Sequence, residues 1–124
     1  MKPLKILIID DERVLCDACE LVLGEAGHTV DRCLTGEAGW RAIKEHDFDL
    51  VLLDLKLPDI DGTSVLERIR GRTRPPRVII MTGYATIPSA LQTMKLGATD
   101  YLAKPFTEEE LLATIQRIFG SAHP

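Results

Sequence analysis

Residues 5–11 read KILIIDD, a short apolar run that closes on Asp10 and Asp11. A run this short, bounded by charge and apolar at successive positions, is the pattern of a strand buried on both faces of a parallel sheet. The signature returns as DLVLLD at 49–54, RVIIMT at 77–82 and DYLAK at 100–104, closing on Asp54, Thr82 and Lys104. If the four runs are parallel, their carboxyl ends share one edge of the sheet, where open α/β folds place their ligand sites. Three carboxylates, a hydroxyl and an ammonium would then meet in one pocket.

Working outward, five strands are expected at Lys5–Ile9, His28–Cys33, Leu50–Leu53, Arg77–Met81 and Thr99–Leu102. The second and fifth are the more mixed in composition, as edge strands tend to be. Helical spacing fills the intervals. Leu15, Ala18, Cys19, Val22 and Ala26 recur at three- and four-residue steps, and Gly27 is a natural stop. Gly36–His46 is a second helix despite Gly39, which costs about 1 kcal/mol against alanine and is read as making room for Trp40. Val65, Leu66 and Ile69 mark a third helix ending near Gly71. Ala90, Leu91 and Met94 mark a fourth, ending at Gly97 with Pro88 in its first turn. Thr107 followed by Glu108, Glu109 and Glu110 caps a fifth, whose stripe is Leu111, Leu112, Ile115 and Ile118.

Strand and helix alternating five times predicts an α/β fold: a doubly wound, five-stranded parallel sheet with helices on both faces. The flavodoxin-like strand order 2-1-3-4-5 is one of two common arrangements, and it sets Asp10 and Asp54 on adjacent strands. Residues 1–120 are read as one domain, with 121–124 a tail or the start of a linker.

The 124 residues are 45% hydrophobic and 27% charged, which excludes a disordered chain. No stretch approaches the ~18 apolar residues of a membrane span, and MKPLK lacks the apolar segment of a secretory signal, so a cytoplasmic protein is expected. A formal net charge of -4 opposes direct binding of nucleic acid. Cys16, Cys19 and Cys33 lack the second pair or nearby histidines of a zinc site and read as reduced thiols.

An acidic run such as Asp10, Asp11 and Glu12 is by itself commonly a solvated helix start. Four strand ends delivering compatible groups change that reading. Asp10, Asp11 and Asp54 at close quarters would repel one another and raise a pKa unless a cation stood among them. Mg2+ suits such a site, because it takes one or two carboxylates and keeps waters or phosphate oxygens in its other positions. Three carboxylates, one Mg2+ and the Lys104 ammonium sum to no net charge, so a phosphoryl group is not repelled. A carboxylate could then act as nucleophile, with cations and the Thr82 hydroxyl stabilising the transferred group.

Over residues 4–119 the chain resembles the receiver domain of two-component response regulators. The matching pieces are IIDDE, LLDLKLPDIDG, MTGY and KLGATDYLAKPF, in order and at the right intervals. TGY with KLGATDYLAKPF is closest to receivers of enhancer-binding transcription activators. The resemblance implies that Asp54 is the phosphoacceptor and that Asp10 and Asp11 are the metal-binding acids, with the Lys56 carbonyl completing the shell. It implies that Thr82 is the switch hydroxyl, Lys104 the phosphate-pairing lysine and Tyr101 the switch aromatic. Lys56 and Tyr84 occupy positions that tune the lifetime of the phosphoryl group. The Lys104–Pro105 peptide is expected to be cis. Implied partners are a sensor histidine kinase, an output domain or downstream protein, and a second copy through the face of helix four, strand five and helix five. Such a domain is a self-phosphorylating and self-dephosphorylating switch rather than a turnover enzyme.

Other classes fit less well. An aspartyl-nucleophile phosphatase would need an Asp-x-Asp pair after the first strand, where Glu12 stands, and usually a larger chain. A flavin carrier needs small hydroxyl and glycine residues where Asp10, Asp11 and Glu12 lie. A docking receiver that is never phosphorylated would not need the intact acid, hydroxyl and lysine set. Pro58, Asp61 and Gly62 read as a chain reversal. Arg68, Arg70, Arg72, Arg74 and Arg77 read as a solvated helix end and loop.

Overall fold

The computed structural model of the chain describes residues 2–83 and 87–120. Tyr84 and the 121–124 tail expected from sequence lie outside them. The strands are β1 (Lys5–Ile9), β2 (Thr29–Cys33), β3 (Leu50–Leu53), β4 (Arg77–Thr82) and β5 (Asp100–Ala103). They alternate with α1 (Arg13–Glu25), α2 (Gly36–Glu45), α3 (Gly62–Arg70), α4 (Ile87–Lys95) and α5 (Glu108–Phe119). Every pairing is parallel and the order is β2-β1-β3-β4-β5, the flavodoxin-like arrangement expected.

The unbroken apolar runs are explained by cover on both faces of the sheet. Ile6, Ile8, Leu50, Leu52, Ile79 and Met81 pack under Cys16, Cys19 and Leu23 of α1 and Leu111 and Ile115 of α5. Their alternate neighbours Leu7, Ile9, Val51, Leu53, Val78 and Ile80 pack under Ile43 of α2 and Val65, Leu66 and Ile69 of α3. Each fully buried aliphatic side chain contributes about 1.5–3 kcal/mol relative to exposure.

Helix ends follow their local chemistry. Beyond α1, Gly27 adopts φ 97°, its N–H donating to the Gly24 carbonyl and that of His28 to Leu23, a Schellman stop. Gly97, at φ 103°, closes α4 in the same way through Met94 and Thr93. Thr107 and Glu110 exchange the two hydrogen bonds of a capping box at α5.

Three expectations are corrected. The buried stripe of α1 runs through Cys16, Cys19 and Leu23, while Ala18 and Ala26 are exposed. The helix turns Cys16, Cys19 and Leu23 onto the sheet, and Leu15 and Val22 pack partly buried beside them. On α4, Leu91 and Met94 are 57% and 44% exposed and Thr93 is buried instead. The Thr93 hydroxyl donates to the Ala90 carbonyl at 2.9 Å, which satisfies it away from water. Gly39 makes room for Ile9, not Trp40: a Cβ there would collide with the Ile9 side chain, so the missing side chain lets α2 sit close on β1. Trp40 is half-buried beside the α2 and α3 core, with Lys44 Nζ 5.6 Å and the Arg72 guanidinium 5.9 Å from its ring.

The edge strands are tied to the helices of one face. Arg32 of β2 pairs with Asp17 and Glu20 of α1, and Asp100 of β5 pairs with Arg117 of α5 at 2.8 Å. Cys16 and Cys19 are buried and all three thiols are free. Among the described residues no helix is long and apolar enough to cross a membrane.

Candidate functional site

β1 and β3 are central neighbours in register, Ile9 opposite Leu53, so the next residue of each, Asp10 and Asp54, emerges side by side. The chain crosses between strands here: the Asp10 N–H donates to the Cys33 carbonyl and the Asp54 N–H to that of Ile9. Both carboxylates are buried. Asp10 Oδ1 accepts from the Glu12 N–H at 2.9 Å, and Asp54 Oδ1 accepts from the Lys56 N–H at 3.2 Å.

Lys104, just past β5, brings its ammonium to this pair. Its Nζ lies 2.7 Å from Asp10 Oδ2, 2.6 Å from Glu12 Oε1 and 3.2 Å from Asp54 Oδ2. Its N–H donates to the Thr82 carbonyl at 2.9 Å, which fixes the lysine backbone against the end of β4. The Lys104–Pro105 peptide is cis, as the resemblance implies. Burial alone would lower the Lys104 pKa, but the carboxylates of Asp10 and Glu12 outweigh it and hold the ammonium charged well above its ordinary range. Burial raises the pKa of Asp10 above the ordinary value, against the opposing pull of Lys104 and the Glu12 N–H.

These groups open into a cavity of about 570 Å³. Asp11, Glu12, Asp54, Lys56 and Lys104 form its polar side, and Leu15, Leu57 and Phe106 are among its apolar walls. The loop after Asp54 is fastened at several points. Lys56 bridges to Asp61, and Asp61 Oδ1 caps α3 by accepting from the Thr63 N–H. The Asp59 carboxylate reaches across to α2, accepting from the Gly36 and Glu37 N–H groups at 2.8 and 2.9 Å. Gly62 lies against the Asp54–Leu55 backbone, and a Cβ there would stand 2.5 Å from Leu55 Cα. The turn at Pro58, Asp61 and Gly62 is therefore part of the site's frame.

A divalent cation fits the donor set. Asp10, Glu12 and Asp54 each offer an oxygen within 4.8 Å of the others. Asp10 Oδ2 is buried with the Lys104 ammonium close by, yet no directed hydrogen bond satisfies it. Oxygen-only donors of this kind suit Mg2+.

Most residues singled out from sequence are gathered here. Asp10, Asp54 and Lys104 are in direct contact. Asp11 is exposed and lines the cavity without joining the three-oxygen group. Thr82 is fully buried at the end of β4. Tyr101, on edge strand β5 opposite Ile80, is half-buried against the α2 and α3 core. Glu12 in contact with Lys104 and Asp59 at the α2 N-terminus were missed. Both are acids beside recognised motifs, but each meets a partner brought near by the fold. The basic stretch proves partly structural: Arg68 pairs with Glu37 at 3.1 Å and Arg77 stacks on Phe119 at 6.0 Å.

The family model of the response regulator receiver domain matches residues 6–116. The transcriptional regulatory protein FixJ of Bradyrhizobium diazoefficiens is 34% identical over 119 residues, covering 96% of this chain and 58% of that protein. ZraR of Escherichia coli, also a transcriptional regulatory protein, is 32% identical over 118 residues, covering 95% of this chain and 27% of its own length. A two-component response regulator from Clostridium difficile superposes with a TM-score of 0.90 at 31% identity, covering 97% of this chain and 98% of that one. The chain thus spans only part of the length of these curated relatives.

Proposed function

Because this chain belongs to the response regulator receiver family, we propose that it is a phosphorylatable signalling switch whose phosphoacceptor is Asp54. Receiver domains of this family are signalling switches, generally not turnover enzymes. The observation that carries the assignment is the convergence of Asp10, Glu12 and Asp54 on the Lys104 ammonium at 2.7, 2.6 and 3.2 Å.

A sensor histidine kinase in the cytoplasm supplies phosphohistidine. An Asp54 carboxylate oxygen attacks phosphorus in line with the breaking N–P bond. The O–P bond forms as the imidazole nitrogen leaves with the electron pair and takes up a proton. Water later hydrolyses the acyl phosphate, restoring the carboxylate and releasing phosphate. Asp10, Asp11 and Asp54, with the Lys56 carbonyl, would hold Mg2+, which when bound neutralises charge on the reacting oxygens. Lys104 shifts its ammonium to a phosphoryl oxygen, and Thr82 directs its hydroxyl to another.

The switch is a change in the populations of two conformations. Thr82 moves toward the phosphoryl group, Tyr101 turns inward into the vacated space, and the α4–β5–α5 face changes shape for an output domain or a second copy. The exposed Leu91 and Met94 on α4 support a protein contact at that face. Lys56 and Tyr84 set the lifetime, so replacing both by small residues changes the dephosphorylation rate. The net charge of -4 supports a receiver that leaves nucleic acid to its output module, as in an enhancer-binding activator.

Intact mass after incubation with acetyl phosphate, with and without Mg2+, tests the reading on the native chain and on Asp54→Ala. One Mg2+-dependent phosphoryl addition, absent in the variant, is expected. Failure of the native chain to accept phosphoryl from any donor would leave a docking receiver.

A further inference from the structure

Glu12 occupies the N-cap of α1 but makes no side-chain cap there. Its carboxylate reaches instead to Lys104, 92 residues away in sequence, and accepts from Nζ at 2.6 Å. Of the three carboxylates round the ammonium, Glu12 has the shortest contact, and that contact is a directed hydrogen bond. Asp54 Oδ2 accepts at 3.2 Å, and Asp10 Oδ2, although 2.7 Å away, receives no directed bond. Glu12 therefore shares the ammonium with the buried pair: Asp54 accepts from the Lys56 N–H and from Nζ, and Asp10 Oδ2 is left without a directed hydrogen bond. It is also the partner most readily released: its side chain is 59% exposed, whereas that of Asp10 is fully buried, so water can solvate Glu12 when the lysine departs.

We infer that Glu12 is a positioning residue that shares Lys104 with Asp10 and Asp54 in the unphosphorylated state and so weakens the ammonium's competition with a divalent cation for their oxygens. The inference rests on the phosphoacceptor reading above. Without the Glu12 carboxylate, the ammonium has Asp10 and Asp54 as its remaining acidic contacts. It then bears undivided on the oxygens it already contacts, which are those a cation needs, and competes with the cation more strongly. The effect passes through Lys104, which separates it from direct ligation. A ligand's loss weakens the cation whatever residue stands at position 104.

Calorimetric titration of Mg2+ into the native chain, Glu12→Ala, Lys104→Met and the double variant tests this without reference to phosphorylation. Glu12→Ala should weaken Mg2+ by roughly two- to fivefold, the range of a partly exposed ion pair. Lys104→Met should tighten it. Adding Glu12→Ala to Lys104→Met should change nothing, because the residue through which Glu12 acts is gone. An equal loss in both backgrounds, or no loss in the native one, overturns the positioning role. If the native chain still accepts phosphoryl with Mg2+, that result overturns the positioning role alone, whereas a native chain that binds no Mg2+ overturns both readings.

Discussion

Replacing Gly62 by alanine should strike the fold and the chemistry together. An ideal Cβ at this position stands 2.5 Å from Leu55 Cα and 3.0 Å from Leu55 C, and also meets the Asp54 carbonyl oxygen. Carbon atoms in ordinary contact lie about 3.5–4.0 Å apart, so α3 and the end of β3 must separate by roughly 1 Å. No flexible side chain can absorb that, because all three obstructing atoms are backbone. The Gly62 N–H bond to the Leu55 carbonyl, 2.8 Å long, is stretched by the same movement. Overpacking of this kind costs about 1–3 kcal/mol, which at ~4 °C per kcal/mol for a domain of this size lowers Tm by about 4–12 °C. A shift of ~1 Å at a reacting group can also reduce rate by ~10²-fold. Phosphorylation of Asp54 by acetyl phosphate should therefore slow more than the loss of stability alone explains. Gly24→Ala is the matched control. Gly24 sits on the exposed side of α1 with nothing within 4 Å of its Cβ position. There alanine should stabilise by about 0.5–1 kcal/mol through helix propensity. A Gly62→Ala protein that melts with the parent and labels at the parent's rate would refute the close-approach argument.

Three further outcomes are expected. Burial works against the Asp59 charge, but the N–H groups of Glu37 and Gly36 outweigh it and hold the carboxyl below its ordinary 3.8. The stability this carboxylate contributes is therefore complete above its unfolded pKa and lost as pH falls through the folded one. The advantage of the native chain over Asp59→Asn in urea denaturation should shrink between pH 6 and pH 3, and a constant gap would count against the tether. Burial pushes the Cys16 and Cys19 thiols up to about 11, so at pH 8 a thiol reagent should label them only after unfolding, while half-buried Cys33 reacts first. Thr107→Ala removes one half of the α5 capping box and should cost about 0.5–2 kcal/mol in the same denaturation assay, with phosphorylation of Asp54 retained.

The parallel strands were legible because strands covered on both faces write themselves as unbroken apolar runs. Their last residue then has to emerge at one edge. The order of the strands, and with it the adjacency of Asp10 and Asp54, was one of two common arrangements that the runs alone do not distinguish. Gly27, Gly97 and the Thr107 cap were legible because their signals are local. What sequence did not disclose depends on rotation and distant approach. A helical period does not distinguish Ala18 from Cys16 as the side chain that turns inward, nor reveal that Thr93 could replace Leu91 once its hydroxyl was bonded to the turn before. Gly39 looked like a neighbour's accommodation because Trp40 is adjacent, whereas the crowding atom belongs to Ile9, thirty residues back on β1. Glu12 was visible as the third acid of a run, but its contact with Lys104 joins the first and last strand ends.

The two edge strands have a consequence for how this protein can associate. An exposed strand edge is a template for another strand, and unprotected edges lead to open-ended aggregation. Here β2 carries Asp31 and Arg32, and β5 is four residues long and starts on Asp100. Arg32 and Asp100 are each held by an ion pair to a helix, from α1 on one side and from α5 on the other. An incoming strand would have to dislodge or desolvate those charges along its path. Short or charged edges of this kind disfavour open-ended strand addition and favour association through the helical faces, where contacts are finite.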